Sequence, residues 1–234
     1  MLFSQILRLF LGCYLLVTLS ACNSARHNIL GTNYGWSDEG IEVLLDATVD
    51  KLQIRHVRRP SEQCDDGFID HIEIYGEIGP DSTAAVERLL PTMKECKSAQ
   101  GNWIVSDVYL SSGGGYLSDG FRLGELFRKY QVRTHVTGGQ MCASSCAIAF
   151  LGGKFRRMSH DAQLLFHAPY VGTGLAIDCS DKGQVDDLAI YYNKMLGEKE
   201  GDFLLNRTLG YCSEAAGWTL NSDGAKLFGL TNSF

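Results

Sequence analysis

The sequence predicts a layered α/β domain built on a parallel sheet, and three observations carry that expectation. Runs of strand character alternate with segments of helical periodicity from Phe68 to Phe166. Glycine clusters, Gly113-Gly114-Gly115 and Gly138-Gly139, stand where strands hand over to helices. Hydrophobic residues make up 45% of the 234 residues with only 4 prolines, enough for one globular domain with a full core and no low-complexity module. Strand, helix, strand, glycine loop, helix, strand and serine-bearing helix in succession are the order of parallel βα units.

In chain order, Phe3 to Ala21 holds one cation, Arg8, and the apolar run Leu9 to Val17. That run is too short to span a bilayer and reads as a secretory signal. Its exit, Leu19-Ser20-Ala21-Cys22, resembles a bacterial lipobox, whose cysteine is lipidated and becomes the first residue of the mature protein. Asn23 in the next position resembles the sorting signal of outer-membrane lipoproteins in Gram-negative envelopes. The expected organisation is therefore a lipoprotein signal peptide over 1–21, a lipid-anchored tether and N-terminal segment over 22–60, and a folded domain over 61–234. The formal net charge is −6, and loss of Arg8 with the leader makes the mature chain one unit more negative. An acidic surface argues against nucleic acid as a partner.

Asn23 to Tyr34 is polar, and Ile41 to Leu45 fits helix or strand. Phe68 to Tyr75 alternates apolar and polar residues, the pattern of a strand. A loop from Gly76 to Ser82, with Asp81 or Ser82 as cap, leads into a helix expected over Thr83 to Lys97. Trp103 to Leu110 is a second strand, followed by the loop Ser111 to Gly115 and a helix from Leu117 to Tyr130. The glycine run lacks the lysine and the spacing of a phosphate-binding loop. It does let backbone N–H groups approach a developing oxyanion. Val132 to Val136 is a third strand, and Cys142 to Ala147 leads into the buried helix Ile148 to Leu151. A last apolar run, Ala162 to Phe166, delivers His167. A serine of the Ser144-Ser145 pair, at a strand–turn–helix junction, and His167 at a strand end supply two parts of a nucleophile–base pair. His27, His56, His71, His135 and His160 are expected to be structural.

Eight cysteines suggest an oxidising compartment. With Cys13 in the leader and Cys22 at the lipid site, Cys64, Cys96, Cys142, Cys146, Cys179 and Cys212 remain as disulfide candidates. Cys64–Cys96 would bracket the first strand and helix, and Cys179–Cys212 the late helical segment. Cys142 and Cys146 either bridge each other or pair elsewhere. Cys-x3-Cys without a second matching pair is poor zinc spacing, so neither a metal nor another cofactor is expected.

From Ile69 to Leu230 the chain resembles the proteolytic subunit of the Clp protease, within the wider crotonase-like fold. Ile72 to Ile78 resembles that family's first strand and loop, and Ser112-Gly113-Gly114-Gly115 its Ser-Pro-Gly-Gly loop, with Gly113 replacing the proline. Gly139 to Ala147 resembles the nucleophile segment, in register with Ser144, and Leu165 to Pro169 resembles the histidine segment. The segment from Gly183 to about Leu209 resembles the long handle helix, and Ser222 to Leu230 the closing helix and turn. The resemblance implies a ClpP/crotonase-like layered fold of repeated ββα and βα units with a parallel sheet and a protruding handle helix. It also implies a homo-oligomer.

Carried over residue by residue, Ser144 is the nucleophile and His167 the base, with Gly114, Gly115 and Ser145 forming the oxyanion hole. The family's aspartate has no counterpart in register. Glu214, Asp178, Asp186 and Asp187 are the candidate substitutes, Asn221 an amide alternative, and Lys154 the candidate for a Ser–Lys dyad. In register, Lys154, Arg156 and Arg157 resemble a solvated basic loop. The expected function is a cell-envelope, ATP-independent serine peptidase acting on peptides or acyl esters and held at the membrane by its lipid anchor. The alternatives are an inactive envelope scaffold of the same fold and a crotonase-like acyl-transfer enzyme.

Overall fold

The computed structural model describes residues 40–171, 178–179 and 181–232. The leader, Cys22, the polar tether and His27 lie outside the described residues. Among those described, the strands are β1 (Glu42–Val49), β2 (Leu52–Pro60), β3 (Phe68–Ile78), β4 (Cys96–Lys97), β5 (Trp103–Ile104) and β6 (Asp107–Gly115). They continue with β7 (Arg133–Val136), β8 (Met141–Ala143), β9 (Phe155–Met158), β10 (Gln163–Phe166) and β11 (Trp218–Leu220). The helices are α1 (Pro80–Leu89), α2 (Leu117–Lys129), α3 (Ser145–Leu151), α4 (Lys182–Leu196), α5 (Glu198–Leu209) and α6 (Ser222–Leu227).

Nine of these strands form one sheet, in the path β1-β2-β3-β6-β8-β10-β11, with β7 and β9 branching from β6. The branch point is β6: its first half pairs with β7 through Asp107, Val108 and Tyr109, and Ser112 pairs with Cys142 of β8. The β3–β6, β6–β7, β6–β8, β7–β9 and β8–β10 pairs are parallel. The hairpin β1–β2 and the edge strand β11 are antiparallel additions. The expected α/β layering on a largely parallel sheet is therefore present.

The core lies where Ile54, Ile72, Ile74, Val108 and Leu110 of the sheet meet Val86, Leu123, Phe127, Ile148 and Leu151 of the helices. Helices α2 and α3 approach closely because glycine lines the contact. A Cβ at Gly152 would stand 2.0 Å from the Gly124 carbonyl oxygen, and one at Gly120 would stand 2.7 Å from that of Ser145. Both distances are far inside van der Waals contact, so the packing excludes any side chain there.

The structure departs from the sequence expectation at several points. Helix α1 stops at Leu89, because Pro91 denies the next turn its N–H and diverts the chain into a short 3₁₀ turn over Leu90–Thr92. The strand read over Trp103 to Leu110 is broken: β5 turns out to pair with β4, and β6 runs on through the glycines to Gly115. The helical segment expected to be continuous from Gly183 to Leu209 is two helices. Gly197, at φ 91°, ends α4 and lets α5 pack back on it, with Gly201 against Asn193. Arg156, expected on a solvated face, is buried. It donates to the carbonyls of Leu230 and Gly229, and burial together with nearby Arg128 pushes its guanidinium down to about 10.

The opposite face of the sheet carries a buried ionic network. Asp107 accepts from Arg133 Nε at 2.5 Å and from His135 Nε2 at 3.0 Å. Glu73 accepts from Arg55 at 2.5 Å and faces His71 Nε2 at 3.2 Å. Tyr109 lies between the two imidazoles, with ring centroids 5.2 Å from His71 and 5.0 Å from His135. On the core side, Asp70 joins His56 and Arg58. These histidines are structural partners of carboxylates, as expected.

Candidate active site

Three neighbouring parallel strands, β6, β8 and β10, end at one edge of the sheet, the edge where open α/β sheets place their ligands. Their ends deliver Gly113-Gly114-Gly115, Ser144 and His167 respectively. Residues distant in sequence thus become neighbours through register alone.

Ser144 occupies the N-cap position of α3, yet its side chain makes no capping hydrogen bond. Its backbone sits at φ 56°, ψ −126°. A non-glycine residue there is strained by about 1–3 kcal/mol, and such strain persists only where neighbours enforce it. Two neighbours do so. The Ser144 N–H donates to the Leu165 carbonyl of β10 at 2.8 Å. Cys142 and Cys146, both fully buried, are joined by a disulfide that spans the turn with 5.1 Å between Cα atoms. The other two bridges, Cys64–Cys96 and Cys179–Cys212, are the bracketing pairs expected, and of the two options left for Cys142 and Cys146 the structure forms the bridge between them.

Gly114 presses its backbone against the serine. A Cβ at Gly114 would lie 2.7 Å from Ser144 Cβ and 3.2 Å from its Oγ. At Gly115, φ 148°, a Cβ would lie 2.0 Å from the Ile78 oxygen. Gly113 differs, since a Cβ there meets nothing within 4 Å. The Gly114 N–H is taken by Ser112 Oγ at 3.0 Å. Gly114 therefore serves by close approach, and the N–H groups of Gly115 and Ser145 are the ones left to consider as oxyanion donors. Ser145 begins α3, where first-turn N–H groups have no partner within the helix.

His167 is 8% exposed. Its Nδ1 lies 2.8 Å from the Ala168 carbonyl oxygen. A carbonyl can only accept, so Nδ1 carries the proton and Nε2 of the neutral ring carries the lone pair. Nε2 is buried without a hydrogen-bond partner among the described residues. The Ala168 N–H donates in turn to the Tyr211 carbonyl at 2.7 Å, fixing the segment that orients the ring. Tyr170 flanks the imidazole at 5.5 Å between centroids.

Ser144, His167 and Gly115 line one cavity of about 540 Å³, whose walls include Leu117, Phe121, Ile148 and Leu188. A second cavity of about 620 Å³ lies beside Gly113–Tyr116 and shares Tyr170 with the first. Among the described residues no hydrogen bond joins Ser144 Oγ to His167 Nε2.

The candidate third members are placed as follows. Asp178 is exposed and paired through its backbone with Val171. Asp186 is exposed on α4 and does not line the cavity. Asp187 lines the cavity but makes no ion pair with His167. Glu214 begins a 3₁₀ turn, and its side chain lies outside those described. Asn221 caps α6 by accepting from the Gly224 N–H. Lys154 reaches Gln131 at 2.8 Å from beyond the far end of α3, which removes it as a partner of Ser144. The position beside Nδ1 belongs to a backbone carbonyl, which no side-chain pattern announces.

Among the described residues, no group of three His, Cys, Asp or Glu is placed to hold a metal ion, and no helix is long and apolar enough to cross a membrane. The chain matches no family model and no curated protein. It is similar in structure to the serine-to-alanine mutant of the 1510-N membrane-bound stomatin-specific protease, at TM-score 0.53 and 13% identity over 68% of this chain and 75% of that one. The lysine-to-alanine mutant of the same protease, in complex with a substrate peptide, gives TM-score 0.52 and 14% identity over 68% and 71%. A ClpP1 mutant from Listeria monocytogenes gives TM-score 0.50 and 16% identity over 69% and 88%. At such identities the likeness is one of fold, and the fold is ClpP-like.

Proposed function

We propose that the protein is a serine peptidase of the Clp-protease-like class, with a Ser144–His167 dyad in place of a triad. One observation carries the reading: an uncapped serine in a strained turn shares a cavity with a histidine whose proton is fixed on Nδ1 and whose Nε2 is unpartnered. Ser144 Oγ attacks the carbonyl carbon while His167 Nε2 takes the hydroxyl proton. The N–H groups of Gly115 and Ser145 hold the oxyanion, each such donor being worth about 2.7–4 kcal/mol in the transition state. Collapse expels the amine, which takes the proton from His167, and water then releases the acyl group by the same steps in reverse. The two cavities flanking Gly115 and Tyr116 offer room for chain on both sides of the scissile bond. The same chemistry would serve an acyl ester.

The setting is also part of the proposal. The lipobox-like Leu19-Ser20-Ala21-Cys22, Asn23 and three disulfides support a lipid-anchored protein on the periplasmic side of a bacterial envelope, with the outer membrane favoured. An envelope site without ATP fits short or unfolded peptides as substrates, and the ClpP-like fold supports assembly into a homo-oligomer.

The test is labelling of the oxidised full chain with a fluorophosphonate probe. Label on the wild type, lost in both Ser144→Ala and His167→Ala, is the expected result. Absence of label from the folded wild type would sink the reading in favour of a scaffold. The same assay checks the glycine loop. Gly114→Ala forces a Cβ against Ser144 and is expected to lower labelling and hydrolysis at least about a hundredfold, the scale of losing one oxyanion donor. Gly113→Ala, with open space around its Cβ, is expected to leave both within about twofold.

A further inference from the structure

Helix α4 presents Gln184, Asp187 and Leu188 to the cavity that holds Ser144 and His167, at the i, i+3, i+4 spacing of one helix face. The rest of the wall is largely apolar: Leu117, Phe121, Ile148 and Pro169. Apart from His167 and the tyrosines, Asp187 is the one ionisable residue among the described residues that line it. Gln184 donates from Nε2 to Asp181 at 3.3 Å, so its amide is engaged in the cap of α4. Asp187 is exposed, and no hydrogen bond or ion pair engages it among the described residues. Asp187 thus shares the cavity with the imidazole, makes no ion pair with it, and carries a charge that no cation matches among the described residues.

Resting on the peptidase reading above, we infer that Asp187 is a specificity-determining residue that selects a substrate cation: a lysine or arginine side chain before the scissile bond, or the free α-ammonium of a short peptide. The geometry favours such a group over a purely apolar one. The methylene stem of a long basic side chain covers the apolar wall, as such stems do at protein surfaces, while its head meets the carboxylate. A neutral side chain of the same length gains the wall but strips water from Asp187 without replacing it. An acidic side chain adds repulsion. A positive charge beside the scissile bond would therefore be read by Asp187 alone, and the two sources of that charge are separable by experiment.

The test uses peptidyl diphenyl phosphonates on the full chain. In these probes Ser144 Oγ attacks phosphorus and expels phenolate, so labelling reports the site without a known substrate. The probes carry lysine, norleucine (the same stem without the ammonium) or glutamate at the position before the scissile bond, each with a free or an acetylated amino terminus. The wild type is expected to react with the lysine probe about fivefold faster than with norleucine, the upper range for a solvent-accessible ion pair. Asp187→Asn is expected to bring that ratio to about one, by slowing the lysine probe and relieving the norleucine probe of the desolvation cost, and Asp187→Lys to favour glutamate. High salt should shrink the wild-type ratio. A preference that follows the free amino terminus, and disappears in Asp187→Asn, would also support the inference and identify the α-ammonium as the cation. Equal lysine-to-norleucine ratios in wild type and Asp187→Asn, with labelling that still depends on Ser144, would overturn the inference and leave the peptidase reading intact. No Ser144-dependent labelling by any probe would overturn both.

Discussion

His167→Ala is expected to reduce kcat/KM on any substrate the wild type turns over by at least about a thousandfold. Neutralising Asp178, Asp186, Asp187 and Glu214 one at a time is expected to leave kcat on a neutral substrate within about threefold. The first number follows from the role of the base. Without it Ser144 keeps its proton through the attack, and in related chemistries only the residual assistance of the oxyanion hole and binding survives. The second follows from the Ala168 carbonyl. A third group in a serine site has two tasks, to hold the imidazole in the tautomer whose free nitrogen faces the serine and to stabilise the imidazolium that forms. The carbonyl at 2.8 Å from Nδ1 performs the first without any carboxylate. For the second it offers a dipole instead of a charge, so the proposed dyad is expected to turn over more slowly than a full triad would. Steady-state kinetics on the five variants checks both statements. A carboxylate variant that alone loses as much as His167→Ala would identify a third catalytic residue and refute the dyad.

Part of the geometry of this candidate site is legible in the sequence, for a physical reason. Glycine and small residues at a crowded junction are required by local sterics, and local requirements leave marks in sequence. Gly114 is an instance: the space it leaves is the space Ser144 occupies. The pairing of Cys142 with Cys146 was one of two open options, and it resolved toward the one that spans the serine. What sequence could not show was the partner of His167 Nδ1, because a main-chain carbonyl has no residue type. The resemblance to a long handle helix does not announce the break at Gly197, where one residue at positive φ divides the segment into two helices. By register with the resembled family, Arg156 belongs to a solvated basic loop. Its burial depends on the carbonyls of Gly229 and Leu230, which come from the far end of the chain. Contacts of that range are set by topology, and hydrophobic patterning carries no trace of them.

The largest effect on stability is expected at Asp107, far from the serine. Asp107 is 2% exposed and holds Arg133 and His135, with Arg59 at 3.7 Å. Burial by itself would raise its pKa. The hydrogen bonds from His135 and Arg133 outweigh burial and hold the carboxyl well below the usual carboxylate range. Asp107→Asn keeps the shape and removes the charge, leaving the Arg133 guanidinium, also largely buried, without its counter-ion. Breaking a buried pair from one side costs about 3–5 kcal/mol, a large share of the total stability of a domain this size. Urea unfolding of the wild type and Asp107→Asn, with the disulfides intact, measures the difference. The acid limb supplies an independent check. Asp107 and Asp70, the latter similarly depressed by His56 and Arg58 against its own burial, have folded pKa values below their unfolded ones. Their stabilisation is fully present above about pH 4, the ordinary aspartate value, and is lost as pH falls below it toward the folded values. The wild type should therefore lose stability steeply below about pH 4, and Asp107→Asn, having lost that contribution at every pH, should show a shallower decline. Parallel acid limbs in the two proteins would mean that the Asp107 charge is not what ties β6 to β7 on that face of the sheet.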